Sequence, residues 1–202
     1  MAPGAWLLHG FALPVDRALA AAVEGVAAAA PFRHLETPGG FRMSVAMTNC
    51  GSCGWVSDRR GYRYESCDPL SGSTWPRMPD TFLALAGSAA AEGGFPGFAP
   101  DTCLINRYVP GARMTLHQDK DESNFGWPIV SVSLGLPAVF LLGGDQRSDK
   151  HLRIPLHHGD VVVWGGPARL RHHGVLALKE GIHEALGALR LNLTFRRARD
   201  DV

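Results

Sequence analysis

The stretch Leu116-His117-Gln118-Asp119-Lys120-Asp121-Glu122 sets a histidine two positions before an aspartate, directly after a run with the composition of a strand. In an extended chain, residues two apart project to the same side, so His117 and Asp119 face one point. A histidine, a carboxylate and one distant histidine make the facial donor set of non-haem iron(II), which leaves coordination positions open for substrate and oxygen. His172 and His173 can supply the distant donor, and spacing alone does not separate them. Asp121 continues on the same side beyond Asp119, where a three-donor site leaves it free to face a substrate. The alternative is a solvated charge run at a strand end.

A second pattern lies in Arg190-Leu-Asn-Leu-Thr-Phe-Arg196. With a period of two, Arg190, Asn192, Thr194 and Arg196 share one face, and Leu191, Leu193 and Phe195 share the other. Two arginines aligned between apolar residues are costly to bury unless an anion neutralises them. A dicarboxylate would do so, because the planar guanidinium pairs with a carboxylate through two parallel hydrogen bonds. Asn106 and Tyr108 share a strand face and could add neutral hydrogen bonds to the same anion. An edge strand with its polar face in water is the competing explanation.

These residues need elements to carry them. Alanine-rich composition, early prolines and the stops at Pro31 and Gly93-Gly94 predict helices over Pro14–Ala30 and Pro79–Ala91. From Cys103 onward the chain reads as short strands: Cys103–Tyr108, Arg113–His117, Ile129–Leu134, Ala138–Leu142, Leu152–Leu156, Asp160–Trp164 and Leu189–Phe195. Pro-Gly, Leu-Pro, Gly-Gly and His-Gly-Asp separate them. Many short strands with turn signals predict a mainly β fold with flanking helices, a jelly roll buttressed on one sheet. Residues 1–202 read as one domain, with helices and an aromatic, basic hairpin over about 1–100 and the all-β part over about 101–197.

With 202 residues, 46% of them hydrophobic, the chain can bury a core without disulfides or structural metal. A net charge of +1 excludes bulk attraction to polyanions, so any nucleic-acid contact must come from local clustering. Met1–Pro14 lacks a basic leader, and the alanine run from Ala18 to Ala30 is broken by Glu24. Neither a signal peptide nor a membrane span is expected, and the chain is predicted to be cytoplasmic with reduced cysteines. Cys50-Gly51-Ser52-Cys53 has zinc-knuckle spacing but no second pair to complete a finger. His157 and His158 read as exposed turn residues, with Asp160 shaping the turn.

Taken together, SVAMTNCG, LINRY-x-PG, LHQDKDE, the run from IVSVSLG to GDVVVWGG, HHG and RLNLTFR resemble the AlkB family of iron(II)- and 2-oxoglutarate-dependent dioxygenases. The resemblance runs from about Phe32 to Arg197. It implies a double-stranded β-helix and oxidative removal of N-linked alkyl groups from nucleic-acid bases, with O2 and 2-oxoglutarate consumed and formaldehyde released. It makes His117, Asp119 and His173 the iron ligands, His173 being preferred because the family's third ligand directly precedes a glycine. Arg190, Arg196, Asn106, Tyr108 and Asn192 would hold 2-oxoglutarate. The segment from Thr37 to Trp55 would form a nucleotide-recognition lid, with Trp55 stacked on the target base and Tyr62 beside it. Thr37, Met47, Arg147 and Asp121 complete the implied substrate set, Asp121 also serving catalysis. The neighbouring Tyr64, Arg59, Arg60 and Arg63 suit further stacking and phosphate contact. Implied partners are alkylated DNA, single- or double-stranded, and RNA, acted on by a monomer without membrane attachment. The same core motifs would equally serve methylated RNA, a protein side chain or a non-catalytic reader of modified bases.

Overall fold

Alternating apolar residues build strands that bury one face or both, and the computed structural model, which describes residues 1–199, shows how they are layered. The strands are β1 Ala5–Leu8, β2 Arg33–Glu36, β3 Arg42–Gly51, β4 Gly54–Asp58, β5 Gly61–Glu65, β6 Thr102–Tyr108 and β7 Met114–His117, followed by β8 Ile129–Gly135, β9 Ala138–Leu142, β10 Leu152–Leu156, β11 Val161–Trp164, β12 His173–Val175 and β13 Arg190–Arg196. Two helices, α1 Asp16–Ala29 and α2 Asp80–Glu92, fall within a residue or two of the predicted ranges.

Seven strands in the order β1-β11-β8-β13-β6-β3-β2 form a major sheet, and β10-β9-β12-β7 form a minor one. Every strand pair is antiparallel. One apolar cluster joins the two sheets, drawing Met47, Leu104 and Trp164 from the major sheet and Phe140, Leu142 and Leu156 from the minor. A second cluster seats α1 and α2 on the outer face of the major sheet, against Ile105, Val132, Leu193 and Phe195. The architecture is the predicted jelly roll with both helices on one sheet.

Strand β13 departs from the edge-strand alternative. It lies mid-sheet, paired with β6 on one side and β8 on the other. Its apolar residues face the helices, with Phe195 edge-on to Phe82 at 5.7 Å between ring centroids. Its polar residues face the space between the sheets. The residues before position 100 do more than precede the β part, because β1, β2 and β3 are strands of the major sheet.

The HHGD turn is a correction. Asp160 shapes it as expected, accepting from the backbone N–H groups of His157 and Gly10. His158 is largely buried instead of exposed: its Nδ1 accepts from Gly135 N–H, which leaves Nε2 to donate to Asp16 at 2.8 Å. Among the described residues no helix is long and apolar enough to cross a membrane.

Candidate active site

Strand β7 ends at His117, and the chain runs on to Asp119; β12 begins at His173, whose register partner across the minor sheet is His117. The close approach of these strands has a local cause. A Cβ at Gly174 would stand 2.7 Å from the Met114 carbonyl oxygen, so the residue after His173 must be small. The result places His117 Nε2 3.6 Å from one Asp119 oxygen and His173 Nε2 3.8 Å from the other. Ligand atoms of all three lie within 4.8 Å of one another, the one such grouping among the described residues.

The donor chemistry fits a divalent ion. His117 Nδ1 meets the Thr115 carbonyl at 2.8 Å and His173 Nδ1 the Arg171 carbonyl at 3.1 Å. A carbonyl can only accept, so each ring, in its neutral form, carries its proton on Nδ1 and presents Nε2 as a lone pair. Burial, reinforced by the neighbouring His117, pushes the His173 pKa down to about 3, so this ring is neutral at physiological pH. Burial works to raise the Asp119 pKa, but Arg196, His173 and His117 outweigh it and hold the carboxyl well below the usual range. Trp164 and Phe140 flank the His173 ring at 5.0 and 6.0 Å, keeping that side dry.

Beside the triad, Arg190, Asn192, Thr194, Arg196, Asn106 and Tyr108 line one cavity. Asn106 Nδ2 donates to Asn192 Oδ1, while Arg190 Nη2 donates to Ser133 Oγ at 2.9 Å. Among the described residues, Arg190 Nε and Nη1 and Arg196 Nη1 are buried with no hydrogen-bond partner. Buried guanidinium N–H groups are rarely left so, and two arginines that both line one cavity fit a bound carboxylate-bearing molecule. Arg196 also gives Nε and Nη2 to a single Asp119 oxygen at 2.8 and 2.6 Å. The anion cavity and the metal donors are thus joined by one side chain.

The β4–β5 hairpin covers the same region. Trp55 stacks on Tyr62 at 5.5 Å, and its Nε1–H donates to Asp121 at 2.8 Å. Thr37 caps the β2–β3 turn by accepting from Phe41 N–H. Met47 is buried in the cluster against which Trp55 packs, and Arg147 stands exposed between β9 and β10. Two hairpin residues differ from the stacking and phosphate-contact expectation. Tyr64 turns its hydroxyl inward to Glu122 at 2.6 Å. Arg63 is taken up by Asp58 and Glu65, leaving Arg59 and Arg60 exposed. Of the cysteines, Cys50, Cys53 and Cys103 are buried thiols, and Cys67 is exposed.

The family model of the 2OG-Fe(II) oxygenase superfamily matches residues 4–196. The chain is 54% identical to the alpha-ketoglutarate-dependent dioxygenase AlkB of Salmonella typhimurium over 98% of its own length and 92% of the relative's. It is 52% identical to the Escherichia coli protein of that name over the same shares. The chain belongs to the AlkB family of 2OG-Fe(II) oxygenases. As an AlkB-family dioxygenase it uses iron(II), 2-oxoglutarate and O2, the set for which the triad and the unpaired arginine donors have room. The solved structure of OsALKBH1 superposes with a TM-score of 0.82 at 29% identity, covering 97% of this chain and 99% of that one. The human nucleic acid dioxygenase ALKBH1 is 31% identical, matched over 60% of this chain and 31% of its own.

Arg169 and Glu122 were missed in the sequence. Arg169 donates to the Asp119 backbone carbonyl at 2.8 Å and pairs with Glu122 at 3.1 Å. Glu122 stood in the quoted heptapeptide but read there as one more charge in a run; its partners are 47 and 58 positions away in sequence or more, beyond any local pattern.

Proposed function

We propose that this dioxygenase repairs DNA by oxidative removal of N-linked alkyl groups from bases such as 1-methyladenine and 3-methylcytosine, with RNA a second polynucleotide. It acts as a cytoplasmic monomer. The carrying observation is the Trp55 Nε1–Asp121 hydrogen bond of 2.8 Å, which sets an aromatic platform and a carboxylate together two positions from Asp119. Relatives named for nucleic-acid dioxygenation support the substrate class.

His117, Asp119 and His173 would hold the iron, and Arg190 and Arg196, with Asn106, Tyr108 and Asn192, would hold 2-oxoglutarate. Bound there, iron(II) with 2-oxoglutarate and O2 would supply the oxidising power, with succinate and CO2 as co-products and the hydroxylated methyl group lost as formaldehyde. The target base leaves its stack and enters beside Trp55 and Tyr62, since a base inside a duplex cannot reach a buried metal. Thr37 and Arg147 steady the nucleotide from the lid and the β9–β10 loop, while Met47, 1% exposed, supports the platform from the core beneath Trp55. Asp121 favours bases that carry positive charge, because a hydrogen bond to a charged partner is stronger than one between neutral groups.

The test is formaldehyde release by purified protein given iron(II), ascorbate and 2-oxoglutarate. Methylated oligonucleotides should yield formaldehyde matched by succinate, and unmodified ones none. Succinate without formaldehyde from any methylated polynucleotide would remove the substrate assignment while leaving the co-substrate assignment standing.

A further inference from the structure

Glu122 keeps only 1% side-chain exposure, yet it donates no atom to the metal site. A carboxylate buried so deeply must be matched by positive or hydrogen-bonding partners, and here those partners belong to three different elements. One oxygen lies 3.1 Å from Arg169 Nη2. The other takes the Tyr64 hydroxyl at 2.6 Å and stands 3.4 Å from Arg196 Nε, outside good hydrogen-bond range. Burial pushes the Tyr64 pKa well above its usual value, so the hydroxyl stays a donor.

Both arginines also grip Asp119, Arg169 at the backbone carbonyl and Arg196 at the carboxylate. Tyr64 lies on β5 of the lid hairpin, so one phenol hydroxyl reaches the metal-binding aspartate along two routes. The geometry is competitive. While Tyr64 satisfies the shared Glu122 oxygen, Arg196 gives both donors to Asp119. Remove that hydroxyl, and among the described residues the donor left near the oxygen is Arg196 Nε at 3.4 Å. A charge-assisted bond would draw the guanidinium toward Glu122 and away from Asp119.

We propose that Tyr64 is a positioning residue, whose hydroxyl holds Glu122 off Arg196 and so makes the seated lid hairpin a condition for the working arrangement of Asp119 and Arg196. This rests on the reading of Arg196 as a co-substrate anchor. It gives the lid a function beyond covering the base: a hairpin lifted from Glu122 leaves the anion cavity slack, and a hairpin in place tightens it. Sub-ångström competition of this kind can act as a switch because a buried guanidinium cannot serve both carboxylates at full strength.

The experiment compares Tyr64→Phe, Glu122→Gln and the double variant in the full chain, with thermal melts to verify folding. Co-substrate affinity is read by titrating 2-oxoglutarate into Mn(II)-loaded protein, without nucleic acid, so the result stands apart from the formaldehyde assay. Tyr64→Phe should weaken 2-oxoglutarate binding by roughly 3–30-fold, the range of mutations along a coupling element. It should also raise the ratio of succinate to formaldehyde on methylated oligonucleotide. The double variant should bind 2-oxoglutarate more tightly than Tyr64→Phe alone, because a neutral glutamine no longer competes for Arg196. A folded Tyr64→Phe protein with unchanged affinity, or a double variant no better than the single, would overturn the proposal. Should Tyr64→Phe fail to fold, hydrogen exchange of the unaltered protein decides: Mn(II) with 2-oxoglutarate should slow exchange across residues 54–65, and unchanged exchange there overturns it. Absence of 2-oxoglutarate binding by the unaltered protein would instead overturn the site reading beneath it.

Discussion

Asp119 and Asp121 lie two positions apart, and their surroundings give them different work. Asp119 is buried and kept ionised by Arg196, whereas Asp121 is exposed with one oxygen engaged by Trp55. Its second oxygen is available to a cationic base. Replacing Asp121 by alanine should therefore spare iron and 2-oxoglutarate binding but slow demethylation of cationic 3-methylcytosine about 10- to 100-fold more than that of neutral 3-methylthymine, a charged hydrogen bond being worth about 1.5–3 kcal/mol. Rates on both bases in one oligonucleotide context measure this; equal losses would leave Asp121 only a support for Trp55. At this scale the sequence was informative where chemistry is local. His117 and Asp119 follow from same-side projection, while the choice between His172 and His173 does not. The structure separates them through register: His173 pairs across from His117, and His172 packs its Cβ near Gly143. Arg169 was illegible because an arginine in a loop shows nothing of a partner reached only through folding.

Strand β13 shows what an element adds. Its alternation told which residues share a face, and both faces are as read. The same alternation could not tell a central strand from a wet edge, since period two is a property of the backbone and not of its neighbours. The arginines on its inner face should be separable by experiment. Arg190→Leu and Arg196→Leu should each cost about 2–5 kcal/mol of 2-oxoglutarate affinity, the loss for breaking a buried charged pair. Only Arg196→Leu should also weaken Mn(II) binding, because it alone bonds Asp119. Paired titrations of metal and co-substrate check both, and a metal defect in Arg190→Leu would break the assignment. Strands β1 and β12, of four and three residues, carry too few side chains for a period to emerge, and both are set by partners distant in sequence.

For the whole molecule, contacts far apart in sequence dominate. Asn192 pairs with Asn106, and β1 at one edge pairs with β11. Composition and turn signals sufficed for a jelly roll with helices on one sheet, but which strands meet was not recoverable from short runs of similar composition. Leu193 stands where the helix layer meets the middle of the major sheet, with 0% exposure. Leu193→Ala should lower the unfolding free energy by about 2–5 kcal/mol in urea titration. A loss well under 1 kcal/mol would mean that β13 is not held by the helices.

The position of β13 has one more consequence, for the chain before it is fully folded. Without this strand the major sheet falls into two pieces, β1-β11-β8 and β6-β3-β2, joined by nothing else in the hydrogen-bond ladder. The edges laid bare are β8, every residue of which is buried in the finished fold, and β6, with all but one buried. Unpaired apolar edges are templates for strands of other molecules. The strand that carries Arg190 and Arg196 is therefore also the one that covers these two edges, and a lesion that unseats it would threaten solubility together with catalysis.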